Sequence, residues 1–347
     1  MDVARKKVAV AAVSVASNTL LVAGKVVVGL LIGSVAVVSE AAHSAVDLLA
    51  ALIALWAVRA SDKPPDDKHP FGHGKFENLS GTIEALLIFV AAGWILYEAA
   101  HKAMIVVAHI RAGTHVPEQF PLAWGVGVMA VSAVVNIFVS RLLFKVGNET
   151  DSVALKADAW HLRTDVWTSL GVMAALAVIW AGDLVAPQLG SWLHLVDPLA
   201  AALVAALIFR AAWNLTISAA RGLMDEQLPP DEERWIRELI AQHRPVVRGF
   251  HHLRTRKSGR FRFIEFHLFV ESSMSVERSH ELAHDLAHHM QEHFPQSSVN
   301  IHVEPCDGDC RRHCGTGCFL SDVEREDLRR AAKPPEPGAA DGPGQAE

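Results

Sequence analysis

Ser39-Glu40-Ala41-Ala42-His43-Ser44-Ala45-Val46-Asp47 sits inside a run that is otherwise apolar or small from Val35 to Val58. As a helix, a run of that length crosses the roughly 30 Å of hydrocarbon in a bilayer. His43 and Asp47 are one helical turn apart and share a face. Each ionisable side chain in a bilayer costs about 3 kcal/mol on insertion scales, so the pair needs a partner or an ion. The same pattern recurs as His161 and Asp165 in a later run. Two imidazole nitrogens and two carboxylate oxygens supply the four-coordinate tetrahedral shell that zinc takes. A plain hydrogen bond between each histidine and its aspartate is the alternative, and the duplication weighs against it.

Outward from this stretch, the 347 residues are 51% hydrophobic, with the long apolar runs all before Asp225. Six spans are expected at 9–32, 36–59, 79–100, 120–145, 160–182 and 197–219. The basic residues Arg5, Lys6 and Lys7 precede a first run that continues to Ile32 without a cleavage site, so it reads as a span and not as a secretory signal. Lys and Arg between spans two and three, around the connection of four and five, and after span six place both termini in the cytoplasm. The formal net charge of −6 comes without a basic stripe, which excludes a nucleic-acid binder. Glu40, one turn before His43, either widens the site or sits at the interface. Lys25 is expected to snorkel to an interface, and Asp158 to be solvated at the cytoplasmic mouth.

Beyond Pro229 the pattern becomes that of a water-exposed domain. A helix over 230–243, strands over 246–257 and 260–271 around a Ser258-Gly259 turn, a helix over 276–293 and a strand over 298–304 give the order α-β-β-α-β. Phe261, Phe263, Glu265 and His267 share one face of the second strand. Residues 306–347, rich in Pro, Gly, Ala and charge, are expected to be mostly disordered. Cys306, Cys310, Cys314 and Cys318 all lie there, which argues against a disulfide framework; with His313 they can scavenge a soft metal, although Gly308, Gly315 and Gly317 disfavour a helix that would align the thiols.

Two further histidine groups lie outside the spans. In Asp66-Asp67-Lys68-His69-Pro70-Phe71-Gly72-His73-Gly74-Lys75, the side chains of Asp66, His69 and His73 can hold an ion in a loop that leads directly into span three. In the second domain His251, His267, His280 and His302 fall on four different elements, and Glu304 follows His302 on the same strand face, where a carboxylate can bridge two ions. His252, His284, His288, His289 and His293 read as a solvated helical face or the back of the sheet.

Gly33-Ser34, the His43/Asp47 pair, the HPFGHGK loop, Asp158 to Asp165, Met224-Asp225-Glu226-Gln227-Leu228-Pro229 and HHLRTRKS from His251 to Ser258 together resemble the cation diffusion facilitator family, in its bacterial zinc and iron exporter branch. The likeness runs from about Val8 to Pro305. It implies a transport site of His43, Asp47, His161 and Asp165, a loop site of Asp66, His69 and His73, and a cytoplasmic two-ion site of His251, His267, His280, His302 and Glu304. In the family the bridging residue is commonly aspartate, and Glu304 departs from that. A histidine at the position of His43 goes with zinc preference. The resemblance further implies a homodimer in the bacterial inner membrane, with Lys75 and Asp225 forming a charge interlock at the membrane boundary. The implied fold is an α-helical membrane domain of six transmembrane helices over 1–222, followed by an α+β ferredoxin-like, metallochaperone-like cytoplasmic domain over 223–305.

Ligands that shed protons on binding zinc predict Zn2+ export by proton antiport with alternating access, H+ being the counter-ion. Cytoplasmic zinc at the loop and second-domain sites is expected to bias the transporter's conformation. A broader Fe2+, Cd2+ or Co2+ exporter is the nearest alternative, and a membrane-anchored metal sensor leaves the duplicated pairs without purpose. An intramembrane metalloprotease lacks its H-E-x-x-H helix. The chain is therefore read as a transporter and not an enzyme.

Overall fold

A computed structural model describes residues 3–32, 35–112, 122–185, 192, 195–308 and 317–332. The chain divides into two compact units, one of Met1–Asp225 with Ser258–Arg260 and one of Glu226–Lys257 with Phe261–Glu347.

The first unit is helical: α1 (Val3–Ile32), α2 (Val35–Ser61), α3 (Lys75–Ala112), α4 (Leu122–Glu149), α5 (Val153–Val185) and α6 (Val196–Leu223). Over their described residues, α1, α2, α3, α4 and α6 are long and apolar enough to cross a membrane. With 33 residues α5 also has the length, at roughly 50 Å. Its first half carries Lys156, Asp158, His161, Arg163 and Asp165, whereas from Val166 to Val185 its sequence is apolar or small but for Asp183 and a few polar residues. Small side chains let the helices approach closely, as membrane packing requires. Ala51, Ala54, Ala57, Ala85, Ala92, Ala157, Ala159 and Ala212 are fully buried. At Gly81 on α3, an added Cβ would lie 3.1 Å from Val153 and 3.6 Å from Ala219.

Several helices run past the expected spans. α3 continues to Ala112 through His101 and Lys102, and Lys102 pairs with Asp197 at the start of α6. α1 begins at Val3, which brings the basic cluster into its first turns. Lys7 is completely buried there, with Nζ 2.8 Å from Glu77 Oε1 and 2.9 Å from Asp62 Oδ1. Ser61 Oγ also donates to Glu77 Oε1, at 2.9 Å. Lys7 is therefore a packed ion-pair residue as well as part of the basic amino-terminal cluster.

The second unit contains α7 (Pro230–Gln242), β1 (Gly249–Ser258), β2 (Phe261–Glu271), α8 (Val276–His293), β3 (Ser297–Cys306) and α9 (Asp322–Ala332). The sheet order is β1-β2-β3, with β2 and β3 parallel. Alternation along β2 buries Ile264, Phe266, Leu268 and Val270 on one face, packed with Ile236, Leu239 and Ile240 of α7 and Leu286 and Met290 of α8. Full burial of each such side chain contributes about 1.5–3 kcal/mol. The other face is left for His267. α7 starts on Pro229-Pro230 with Asp231, Glu232 and Glu233 in its first turn, and α8 is capped by Ser275, whose hydroxyl accepts from Arg278 N at 3.2 Å.

Within the carboxyl-terminal segment, residues 306–308 and 317–332 are described and carry regular structure. Cys306 is the buried last residue of β3, and a bridge joins Cys318 to Gly249 at the start of β1. Phe250 N donates to Gly317 O at 3.0 Å and Phe319 N to Arg248 O at 2.9 Å, so residues 317–319 cover the edge of β1. Helix α9 then begins on a capping box: Ser321 N donates to Glu324 Oε2 at 2.7 Å and Glu324 N to Ser321 Oγ at 3.3 Å. Cys306 and Cys318 are thus sheet-edge residues. Cys310, His313 and Cys314 lie outside the described residues.

Candidate metal sites

The two intramembrane pairs come from α2 and α5. Asp47 and His161 are 6% and 4% exposed, and His161 Nε2 stands 3.1 Å from Asp47 Oδ1. Asp165, one turn beyond His161, completes a group whose ligand atoms all lie within 4.8 Å of one another. The helical period brings His161 and Asp165 to one face of α5, and the packing of α2 on α5 supplies Asp47. Nδ1 of His161 is buried without a hydrogen-bond partner among the described residues. The group is compact and offers one nitrogen and two carboxylates. The side chains of His43 and Glu40 lie outside the described residues, as do Gly33 and Ser34.

Two expectations about neighbouring charges are corrected. Asp158 is fully buried, one turn before His161, and neither of its oxygens meets a hydrogen-bond partner among the described residues. It is not a solvated residue of the mouth, because α5 turns it inward with His161. Lys25 is 5% exposed and donates to Ser44 Oγ at 2.7 Å, so it does not reach out to an interface. Lys25, Ser44, Asp47 and Asp165 line one cavity of about 30 Å³. Glu84 on α3, which the sequence reading passed over, is also fully buried, with Oε1 accepting from Ser80 Oγ at 2.8 Å. Its signal was a carboxylate inside the third, least apolar run.

The loop group is formed by Asp66, His69 and His73. Oδ1 of Asp66 accepts from the backbone N–H of His69 at 2.7 Å and of Lys68 at 3.0 Å, which closes the turn. The hydrogen bond from His69 N, with those from Lys68 N and the two imidazoles, holds the Asp66 carboxyl below its ordinary value against the opposing effect of desolvation. His69 Nδ1 and His73 Nε2 stand 3.2 and 3.3 Å from the two Asp66 oxygens, and the imidazole centroids are 4.5 Å apart. His73 is buried and stacks on Phe76 at 5.8 Å. Gly72, with φ +81°, makes the reversal that returns His73 to Asp66.

In the second unit the group centres on Glu304. His267 Nδ1 donates to Oε1 at 2.7 Å, His251 Nε2 to Oε2 at 3.1 Å, and His302 Nε2 lies 3.7 Å from Oε1. Parallel register places His267 opposite His302, which explains how residues 35 positions apart share one face. Partial burial works against ionisation of Glu304, but the hydrogen bonds from His267 and His251 prevail and hold its carboxyl below the ordinary value. His251, His267 and Glu304 meet the distances of a metal group. His280 is not part of that group; it stands exposed on α8 beside His284, with ring centroids 6.3 Å apart.

His252 departs from the expected strand alternation. Its φ of +50° breaks the alternation of β1, and its ring lies 4.3 Å from His251 and 5.2 Å from His267 by centroid. It belongs beside the metal group and not on the back of the sheet. Nothing in the His-His dipeptide signals that backbone turn. Lys75 Nζ lies 3.0 Å from Asp225 Oδ1 and 3.3 Å from Leu223 O, so the ammonium also caps the carboxyl end of α6.

A helical membrane unit with a buried acid-imidazole group, joined to a small α+β unit with a second such group, defines a membrane carrier of metal cations. The cation efflux transmembrane domain matches residues 11–224, and the cytoplasmic domain of cation efflux proteins matches residues 228–306. The chain is 33% identical over 276 residues to an uncharacterized transporter of Synechocystis sp., covering 79% of this chain and 82% of that one. It is also 33% identical over 288 residues to the cation-efflux pump FieF of Cronobacter sakazakii, covering 83% and 89%. The metal-bound C-terminal domain of the CzcD transporter from Thermotoga maritima is 33% identical, covering 22% of this chain and 87% of that one with a TM-score of 0.21. The chain belongs to the cation diffusion facilitator family, and it is an integral membrane protein of the divalent-metal efflux class.

Proposed function

We propose that the protein exports Zn2+ from the cytoplasm in exchange for protons. The transported ion is held by His43, Asp47, His161 and Asp165. The observation that carries this reading is the buried group of Asp47, His161 and Asp165, brought together from two helices within 4.8 Å. One imidazole and two carboxylates, with His43 as the fourth ligand, match zinc in number and softness. The two carboxylates balance the charge of a divalent ion. The histidines exchange a proton for a metal at little free-energy cost near neutral pH. Alternating exposure of this site to the two sides then couples inward proton flow to outward metal flow.

The protein is a homodimer of the bacterial inner membrane, with both termini cytoplasmic. Asp66, His69 and His73 form a loop site, and His251, His267, His280, His302 and Glu304 form the cytoplasmic site, at which zinc biases the transporter's conformation. Lys75 and Asp225 act at the dimer's membrane boundary. The cysteines of the carboxyl-terminal segment take soft metal ions.

Vesicle flux tests the whole reading. Zinc uptake into inside-out vesicles should require an outward-directed proton gradient and release protons from the lumen. Flux indifferent to that gradient would remove the antiport. Competition by Fe2+, Cd2+ and Co2+, with wild type and His43→Asp, tests selectivity: zinc should dominate in the wild type, with the preference relaxed in the variant.

A further inference from the structure

Lys25 lies in α1, within a segment that spans the membrane, and is 5% exposed. Its Nζ donates to Ser44 Oγ at 2.7 Å, and Ser44 is three residues before Asp47 on α2. The lining of one cavity includes Lys25, Asp47 and Asp165, together with the polar side chains of Asn18 and Asn136. At about 30 Å³ the cavity has room for a single small ion or a water molecule. A buried ammonium requires negative charge nearby, and these carboxylates share its cavity.

The charges of this cavity can be counted in both states. Once metal has left and before His43 and His161 take up protons, Asp47 and Asp165 contribute two negative charges and Lys25 one positive charge. With a divalent ion bound, the carboxylates are already balanced, and the ammonium becomes a surplus like charge beside the metal. In a medium of low dielectric constant that repulsion is strong at the distances of one small cavity. Nothing in the metal ligation needs Lys25, and a neutral side chain of similar length would fill its volume.

We propose that Lys25 is a built-in competitor of the transported metal. Its ammonium compensates the carboxylates when the site is empty, and its repulsion loosens the ion when the site is loaded, so that metal is released. The inference rests on the transport-site reading above and assigns Lys25 a positioning role, not that of a ligand. Tight binding at an exporter's central site would slow release, and a fixed cation prevents it while leaving the ligands unchanged.

Zinc flux into vesicles containing the full-length protein tests this with Lys25→Met, Lys25→Arg and Asp47→Ala. For Lys25→Met, KM should fall by about tenfold or more, and turnover should fall with it, because the ion is held too well. Lys25→Arg keeps the charge and should restore KM to within about threefold of wild type. A purely structural role would lower turnover with KM unchanged or raised, and that result overturns the proposal. So does an equal defect in Lys25→Met and Lys25→Arg. If Lys25→Met gives no net flux, zinc-for-zinc exchange is read in the same vesicles: retained exchange supports trapping of the ion, and lost exchange overturns it. Asp47→Ala separates the two levels, since wild-type flux in that variant would remove the transport site itself.

Discussion

His161 on α5 and Asp47 on α2 meet at 3.1 Å across 114 residues of sequence, both almost fully buried. The contact joins two helices that each place a histidine and an aspartate at the same one-turn spacing. A lone contact of this kind would be a helix clamp, but Asp165 makes it a metal-sized group.

Asp47→Ala and His161→Ala should therefore abolish zinc flux, by at least about a hundredfold, because each removes one ligand of a four-ligand shell. Asp47→Asn separates clamp from site: it keeps a hydrogen-bond acceptor for His161 but loses the charge. Folded Asp47→Asn protein without flux, measured by gel filtration and vesicle uptake, fits a metal site. Wild-type flux in that variant fits a clamp.

Lys7 buries its ammonium against Glu77 and Asp62, at 2.8 and 2.9 Å. Lys7→Met leaves Glu77 buried without its cation and should destabilise the protein by about 3–5 kcal/mol. Lys6, paired with Glu149 at a largely exposed position, should change stability far less than Lys7 when replaced by Met. Thermal unfolding in detergent compares the two. Equal losses would mean that the buried pair contributes nothing particular.

These residues also mark the limits of reading sequence alone. The His43/Asp47 and His161/Asp165 spacing is visible because helix periodicity and membrane burial both act locally. Lys7 looked like a topology signal, since Glu77 is 70 residues away. Lys25 looked like a snorkelling residue because its partner Ser44 sits on another helix. Asp158 looked solvated, although its spacing from His161 already put both on the inward side of α5. The Ser321–Glu324 capping box was written in the sequence, but the composition around it suggested disorder. His252 could not be placed in advance, because its ring position follows from a positive φ that no neighbouring glycine announces.

Lys75 and Asp225 form a half-exposed pair, 40% and 48% accessible, at 3.0 Å. An exposed pair contributes at most about 1 kcal/mol, so Lys75→Ala should leave the melting temperature nearly unchanged. A role in the dimer predicts more for function. Lys75→Asp and Asp225→Lys alone should each lower flux by about tenfold or more, and the double reversal should recover most of it, as coupling between the two sites requires. Crosslinking at the boundary should fall and recover in parallel. Additive losses in the double variant would mean that the two charges act separately.

Glu304 ties three histidines from three strands into one group, and its own ionisation sets how that group responds to acid. Hydrogen bonds from His267 and His251 depress its folded-state pKa below the ordinary 4.5. A depressed carboxylate contributes stability that is fully present above the unfolded value and is lost as pH falls through the folded one. Metal-free wild type should thus exceed Glu304→Gln in stability near neutral pH, by about 1–3 kcal/mol for hydrogen bonds to a charged group. The gap should persist down to about pH 4.5 and close below it. Unfolding of the second unit, followed in chelator as a function of pH, measures the gap directly. A constant difference across the acid range would mean that the carboxylate's charge is not what the histidines stabilise. With zinc present the gap should widen at neutral pH, because Glu304→Gln also removes an anionic metal ligand; no widening would place the cytoplasmic metal elsewhere.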